Sequence, residues 1–449
     1  MVIMRDDDCC SDTRVVSFPM LSASRFLLIV AAWAAYVPMS YAFRSDYAIG
    51  AEAEYSDNIT LTENNEEDEL GLSLLLAYSV EHSSSVFEGD IRALLDYANY
   101  VNNVFSNETL GSLRTDLEWR PAPGMFHWRL EDYFTQTLRD AAAPETPDNR
   151  INTNAFATGP DFFFRLAPAT TLEASLRRAE YYFEESDVDS SRNIAAVGWV
   201  RALQPAFDLS ANVVFEDTDF SEDINNDFKR KDYFIRADTR RGRSTLTADI
   251  GGTSIDRDNE DSLNGFLGRL ALMRQVGVNT QFHIEASSQY TDSGTDLLMA
   301  GAGPFELDRS NEQITGDIFF DRRIEGRYRR GSSERNWELH LLLRDEDYET
   351  VPRDRETYSA RVLVHRSIAP ATYLNGHVLL RREDYVETTQ LDKEAEFSLG
   401  IERKLGRSLT ARLDYIFNTR DSTVIGADYD ENRVIFLVYY GRTNPRAFR

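Results

Sequence analysis

Apolar and polar side chains alternate with a period of two along most of this 449-residue sequence, which is the period of a β-strand. In Phe87–Tyr97, for example, Ile91 and Leu95 alternate with the charged residues Asp90 and Arg92. A helix would scatter such charges around its circumference. The pattern therefore predicts a chain of strands, each with one apolar and one polar face.

Two classes of connection alternate between these strands. One class is short and contains proline or glycine, as in Arg120–Gly124, Leu203–Phe207 and Lys404–Ser408. The other class is longer, polar and acidic, as in Glu184–Asn193 and Ser254–Asn264. Nine short and ten long connections join twenty strands, and eighteen strands is the alternative count. Strands of about ten alternating residues, with short turns at one end and long loops at the other, are typical of outer-membrane β-barrels.

The membrane itself requires such a sheet to close. In hydrocarbon every backbone N–H and C=O must be paired within the protein, so a spanning sheet cannot keep an open edge. A soluble β-sandwich would also alternate, but it does not need all its long loops at one end, and no linker divides this chain. The sequence therefore predicts an all-β fold, a transmembrane antiparallel up-and-down barrel over residues 43–441. Phe319–Arg335 carries charges at successive positions, which predicts a bulge, a register change or a misplaced turn there.

The N-terminal 42 residues have the layout of a secretory signal peptide. Arg25 precedes the apolar run Phe26–Val37, which is too short to span a membrane as a helix. Ser40 and Ala42 supply the small residues of a cleavage site. We expect cleavage near Ala42, and a start at Met20 would make the preceding residues an extension. A bacterial outer-membrane location follows from this export signal and the predicted barrel.

Composition excludes other classes of protein and partner. Cleavage would remove both cysteines, Cys9 and Cys10, so the mature chain would enter an oxidising compartment without disulfides. The formal net charge is −26, whereas a nucleic-acid binder is expected to be basic, so we expect outer-membrane lipid rather than nucleic acid as a partner. Residues 442–449 are expected to form a periplasmic tail after the last strand.

Short motifs at the two ends of the predicted barrel resemble a known group. Glu54–Leu61 (EYSDNITL) and Asp428–Val438 (DYDENRVIFLV) are similar to the opening and closing strands of β-barrel porins of the porin 2 type. That group overlaps the outer-membrane barrels associated with exopolysaccharide and PEP-CTERM (exosortase) systems. The resemblance covers Ser45–Tyr440, and it implies a barrel linked to polysaccharide export or surface assembly, with polysaccharide and export-system proteins as partners. The tail Gly441–Arg449 departs from the pattern, because such barrels often end on the last strand.

Motifs with the spacing of an active site are absent from the sequence. There is no Gly-x-Ser-x-Gly, no His-Glu-x-x-His, no phosphate-binding loop and no cysteine in the predicted mature chain to ligate a metal. His340 and His365 are predicted to face the lumen on neighbouring strands, where a barrel enzyme would need a nucleophile within hydrogen-bond reach. We therefore expect no enzyme activity, no cofactor and no metal, and a barrel enzyme is the third-ranked alternative.

Charged residues of both signs are expected to point into the lumen. They could brace the wall by pairing across strands, or they could line a conduit for hydrophilic solutes. A barrel of about 16–18 strands already leaves an aqueous channel. The candidate lumen-lining residues are Glu88, Asp90, Arg92, Arg114, Asp116, Glu118, Arg129, Arg236, Glu285, Arg344, Arg361, Glu402, Arg412 and Asp414.

One long loop carries an apolar patch that is unusual among the acidic loops. In Thr291–Gln313 the candidate constriction residues are Leu297, Leu298, Met299 and Phe305. The patch could fold into the lumen as a constriction, cap the mouth or make a surface contact. The sequence therefore predicts a polar, porin-like conduit, for surface polysaccharide or other hydrophilic solutes. The alternative is a plugged structural or assembly component of an exopolysaccharide system.

Overall fold

The computed structural model describes residues 43–222, 227–302, 314–442 and 444–445. The predicted signal peptide and its cleavage site lie outside these residues, and so does most of the predicted tail. Within the described ranges, no helix is both long enough and apolar enough to cross a membrane.

Twenty strands account for most of the described chain, together with one helix and one short 3₁₀ turn (Pro147–Asn149). The strands are β1 (Phe43–Ser56), β2 (Glu69–Ser83), β3 (Phe87–Tyr100), β4 (Glu108–Ala122), β5 (Phe126–Leu138), β6 (Arg150–Ala167), β7 (Thr170–Phe183), β8 (Ser190–Gln204), β9 (Phe207–Phe220), β10 (Phe228–Arg241), β11 (Ser244–Arg257), β12 (Leu263–Gly277), β13 (Thr280–Thr291), β14 (Phe319–Ser332), β15 (Arg335–Tyr348), β16 (Arg355–Ala369), β17 (Thr372–Tyr385), β18 (Gln390–Lys404), β19 (Leu409–Ser422) and β20 (Tyr429–Gly441). The helix α1 (Ser293–Ala302) lies between β13 and β14.

The sheet closes on itself. Each strand pairs with its sequence neighbours, and β20 pairs antiparallel with β1, so that Gly50 lies opposite Tyr439. Closure pairs the backbone of every strand on both sides, which is the condition for a sheet in hydrocarbon. The predicted all-β antiparallel up-and-down barrel is confirmed, with twenty strands rather than eighteen.

Connections at the two ends of the barrel differ as the sequence predicts. At one end the hairpins turn within a few residues, and Gly242 between β10 and β11 has a φ of 62°, a conformation that glycine adopts without steric cost. At the other end the loops are longer, and the longest, between β13 and β14, contains α1. We call these ends the short-turn end and the long-loop end.

The bulge or register change predicted for Phe319–Arg335 is wrong, and the turn of this region lies at residues 333–334. β14 pairs with β13 and β15 without a register shift, and the shifts lie beside five of the short turns instead. Successive charges are tolerated because Arg323 points inward while Arg322 points outward. Arg322 forms ion pairs with Asp345 and Asp347 on the outer face of β15.

The outer face of the barrel carries a belt of exposed apolar side chains. Leu74 is 65% exposed and Leu341 is 47% exposed, although both lie within regular strands. Soluble monomers rarely expose contiguous apolar patches larger than a few hundred Å². A belt that surrounds a closed barrel matches the hydrocarbon layer of a membrane.

Part of the predicted tail turns into the barrel. Pro445 is buried, and its ring lies 3.4 Å from the position that a Cβ atom would occupy on Gly50. The same position is bounded by Leu437 and Tyr439, which are buried on the inner face of β20. The described part of the tail therefore packs against the inner wall at the short-turn end.

The two ends of the barrel predict opposite labelling on intact cells. We expect a bulky membrane-impermeant maleimide to label Asp258→Cys, in the exposed loop between β11 and β12, but not Gly406→Cys, in the turn between β18 and β19. Both sites are exposed, so accessibility within the protein does not distinguish them. Labelling of Gly406→Cys alone, before the outer membrane is permeabilised, would reverse the orientation.

Candidate functional site in the barrel lumen

All fourteen candidate lumen-lining residues lie on the inner face of the barrel. Direct cross-strand partners share a face, and Glu88 lies opposite Glu118, just as Glu402 lies opposite Arg412. On each strand these residues alternate with exposed apolar residues of the outer belt, as Arg344 does with Leu343. Their placement is therefore observed, whereas their role in lining a path for solutes stays a prediction.

Ion pairs join the charges of the inner wall across neighbouring strands. Arg236 donates two hydrogen bonds to Asp249, at 2.7 and 2.8 Å, and Arg177 binds both oxygens of Asp161. Within β19, Arg412 also donates to both carboxylate oxygens of Asp414, at 2.6 and 2.9 Å. Such bidentate pairs are strong and fix geometry. Much of the inner charge therefore braces the wall.

The loop between β13 and β14 enters the lumen with α1. Asp292 caps the helix, because its Oδ1 accepts a hydrogen bond from the backbone N–H of Thr295 at 3.1 Å. Both oxygens of the same carboxylate bind Arg192, on the inner face of β8. Burial disfavours the charged form of Asp292, but Arg192 and Thr295 together hold the pKa of this carboxyl below its usual value. The start of the helix is thus fixed to a wall several strands away from β13.

A second ion-pair cluster holds the other side of α1. Asp296 accepts a hydrogen bond from Arg323 at 2.9 Å and is also bound by Arg344. Arg344, on β15, in turn donates to Asp321 at 2.6 Å. Asp321 and Arg323 both lie on β14. Arg192 and Arg344 are both almost fully buried, so the helix connects two charged clusters inside the barrel.

Leu297 is the one candidate constriction residue whose side chain the structure describes. It packs against an apolar patch on the inner wall that includes Ala155, Ala179 and Tyr181. Of the three positions that the sequence left open for the patch, Leu297 occupies the one inside the lumen. The side chains of Leu298 and Met299 and the whole of Phe305 lie outside the described residues.

A second loop crosses the lumen, and sequence reasoning did not single it out. We call residues 139–149, between β5 and β6, the strap. The backbone oxygen of Ala142 accepts hydrogen bonds from Arg420 at 2.7 Å and from Gln390 at 3.3 Å, and Tyr385 donates to the oxygen of Ala141 at 3.2 Å. The three donors lie on β19, β18 and β17. The strap therefore spans the interior from one wall to the opposite wall.

The strap also has internal order. Asn149 donates from its side chain to the backbone oxygens of Asp140 and Pro144, at 2.9 and 3.1 Å. Arg420, its main contact on the far wall, is held by Asp392 at 2.6 Å, and both of these side chains are almost fully buried. A charged pair that orients a donor toward a backbone carbonyl gives the strap one preferred position.

A cavity of about 200 Å³ lies between the strap and the inner walls of β1–β4 and β17–β20. Its charged lining is mostly acidic, with eight glutamates against three arginines. Several of these carboxylates are fixed, as for Glu431, which accepts hydrogen bonds from Ser56 and Asn418 at 2.6 and 2.8 Å. The charged lining residues are Glu52, Glu54, Glu69, Glu108, Glu145, Glu394, Glu396, Glu431, Arg150, Arg381 and Arg433.

The lumenal histidines make contacts with polar neighbours. The ring of His340 lies 3.4 Å from Glu338, and Nδ1 of His365 lies 2.6 Å from Oδ1 of Asn375. His365 also stacks on Tyr373. Among the described residues, no group of three or more potential ligands is placed to hold a metal ion.

No protein-family model matches the sequence, and no curated protein matches it. Similar solved structures include a loop-deletion variant of the outer membrane protein OmpT of Vibrio cholerae, with 11% identity, a TM-score of 0.36, and coverage of 89% of this chain and 100% of that one. The outer membrane protein OpdK of Pseudomonas aeruginosa has 11% identity and a TM-score of 0.35, with coverage of 89% and 99%. The FrpB iron transporter of Neisseria meningitidis has 8% identity and a TM-score of 0.43, with coverage of 88% and 81%. The pairing of the twenty strands itself, rather than these likenesses, establishes the barrel.

Proposed function

We propose that the protein is a porin-like conduit of the bacterial outer membrane that passes small hydrophilic solutes and favours cations. The acidic cavity beside the strap is the observation that carries this proposal. An apolar outer belt, a charged inner wall and the signal-peptide pattern of the sequence support the outer-membrane location. The proposed function of the conduit includes no catalytic step.

The charge of the cavity provides the preference for cations. A cleft lined by one sign of charge, within walls of low dielectric constant, raises the local concentration of counter-ions. The strap and α1 narrow the path on which these charges act. The same lining would repel an acidic polysaccharide, so a polysaccharide cargo would be neutral or carry amino groups.

The second candidate function is a plugged component of a surface-polysaccharide assembly. It is favoured by the buried contacts that fix both inward loops, above all Arg192 with Asp292 and Arg420 with the strap. A plugged barrel would fold normally and conduct no ions, which separates the two candidates in one measurement.

Reversal potentials across a KCl gradient test the conduit. We expect a preference for K⁺ that weakens as salt rises, because the Debye length falls from about 10 Å at 0.1 M to about 3 Å at 1 M. Glu54→Gln combined with Glu145→Gln should reduce the preference, because it removes two of the eight glutamate charges that line the cavity. A heat-modifiability gel shows whether this variant folds.

The matched control removes two charges outside the cavity. Glu63→Gln with Glu66→Gln changes exposed positions in the loop between β1 and β2 and should leave the reversal potential almost unchanged. A preference for Cl⁻, or a folded barrel that stays silent, would contradict the proposed conduit, and silence would favour the plugged component.

A further inference from the structure

Seven arginines form a girdle on the outer face at the short-turn end of the barrel. Each lies on the same face of its strand as residues of the apolar belt, as Arg335 does with Leu341, and each is exposed. We call them the arginine girdle: Arg201, Arg241, Arg274, Arg330, Arg335, Arg366 and Arg403.

The side chains of the girdle make no hydrogen bond or ion pair with the rest of the described chain. Arg335 and Arg366 even lie directly opposite each other on β15 and β16. Like charges at directly opposed positions of a sheet are destabilising. An arrangement of this kind is stabilised when an anion outside the protein lies between the two guanidinium groups.

Unlike the girdle, the outward cations on the strands near the long-loop end form ion pairs within the protein. Each of them has a carboxylate partner on the outer face of the barrel. The pairs are Arg178 with Glu180 at 2.8 Å, Lys229 with Asp217 at 3.6 Å, Lys231 with Asp256 at 3.2 Å, Arg322 with Asp345 at 2.9 Å, Arg382 with Asp384 at 3.4 Å and Lys393 with Asp421 at 3.4 Å. Among the described strand residues, the outward cations without a carboxylate partner therefore lie at one end of the barrel.

Tryptophans place the girdle relative to a membrane. The four tryptophans of the described chain, Trp119, Trp128, Trp199 and Trp337, are all at least 40% exposed on the outer face near the short turns. Tryptophan collects at the boundary between acyl chains and headgroups.

The girdle lies at that boundary or just beyond it. Arg201 follows Trp199 by two residues and Arg335 precedes Trp337 by two, in both cases toward the short turn. Two residues of a tilted strand rise about 5 Å along the membrane normal, which is comparable to the thickness of one headgroup region, about 5–7.5 Å. Arg330 lies directly opposite Trp337, and its long stem can extend to the same level.

We propose that the arginine girdle binds the phosphate headgroups of anionic phospholipids in the leaflet at the short-turn end. Arginine suits this partner because its planar fork of donors matches a phosphate group. A soluble acidic protein is a less suitable partner, because the girdle faces sideways, beside the tryptophans, rather than into the solvent below the barrel.

Tryptophan quenching in vesicles tests the proposal with the folded full-length barrel. In phosphatidylcholine vesicles, phosphatidylglycerol with brominated acyl chains should quench the tryptophans more than the same fraction of brominated phosphatidylcholine. An arginine near an anionic surface contributes about 1 kcal/mol, so we expect a relative binding constant of about five. Both leaflets have the same composition, so the orientation of the barrel does not affect the result.

Matched variants assign the effect to the girdle. Replacement of all seven girdle arginines with glutamine should bring the relative binding constant to about one. Lys229→Gln with Lys393→Gln, which removes paired cations at the other end, should leave it unchanged. A heat-modifiability gel confirms that both variants fold.

Three results would overturn the proposal. The first is equal quenching of the wild-type protein by the two brominated lipids. The second is a lipid preference that survives in the girdle variant. The third is binding of soluble polyglutamate by the wild-type barrel, lost in the girdle variant, without any lipid preference, which would assign the girdle to an acidic protein partner.

Discussion

Removing the strap is expected to raise the single-channel conductance by at least about twofold, because an unobstructed barrel of this size leaves a wide aqueous channel. Replacing residues 141–147 with Gly-Ser-Gly removes the backbone oxygens that Arg420, Gln390 and Tyr385 hold on the far wall. Leu138 and Arg150 are already directly paired, so a short linker can join β5 to β6. Planar-bilayer recordings of the purified, folded variant provide the measurement.

The control replaces an exposed segment of another loop. Exchanging residues 63–66, between β1 and β2, for Gly-Ser should leave the conductance close to that of the unmodified protein, because these residues are exposed. If the strap variant conducts no better than this control, the strap does not restrict the path. If neither variant conducts, α1 and its ion-pair clusters suffice to plug the lumen.

Leu341→Arg should severely reduce the yield of folded barrel. Leu341 lies in the middle of β15 on the outer face and is 47% exposed. An arginine at this depth costs about 2–4 kcal/mol in a membrane barrel, because the charge must sit in hydrocarbon. A heat-modifiability gel of membranes reports the folded fraction.

Ile368→Arg is the matched control for that change. It is the same replacement of an apolar residue that faces outward, but Ile368 lies at the short-turn end of β16, two residues beyond Arg366. Near the membrane interface the cost falls to about 0–1 kcal/mol. Equal loss of folded barrel in the two variants would show that depth in the membrane does not determine the cost. The inner neighbour His340 is a poor control, because it is buried beside Glu338.

Local patterns were sufficient to predict the fold. Period-two alternation places Arg344 inward and Leu343 outward without knowledge of any partner. The alternation of turns and loops gives the strand count and the two ends. The alternation rule fails at Phe319–Arg335, because charges on successive residues predict an irregular strand. The strand is regular, and the outward Arg322 has acidic partners on the outer face.

The interior of the site could not be predicted in the same way. Arg192 lies on the polar face of its strand, so its inward direction follows from the pattern, but its partner Asp292 is 100 residues away. The strap is similar, since the residue that binds Ala141 is 244 positions further along the chain. The sequence of the strap gives no local signal that two backbone oxygens will meet donors on the far wall. Such contacts depend on the closed barrel bringing distant strands face to face.

The pairing of β1 with β20 has a consequence for how the barrel is made. The strands that meet at this seam are the first and the last of the barrel, so Gly50 and Tyr439 cannot pair until every strand between them has been synthesised. Until then both edges present unpaired backbone groups that can join any other strand. Contacts of such long sequence separation form slowly. Biogenesis of this protein therefore includes a ring-closing event that follows synthesis of the whole barrel, and a partner that shields the two open edges until that moment would determine how much of the chain matures rather than aggregates.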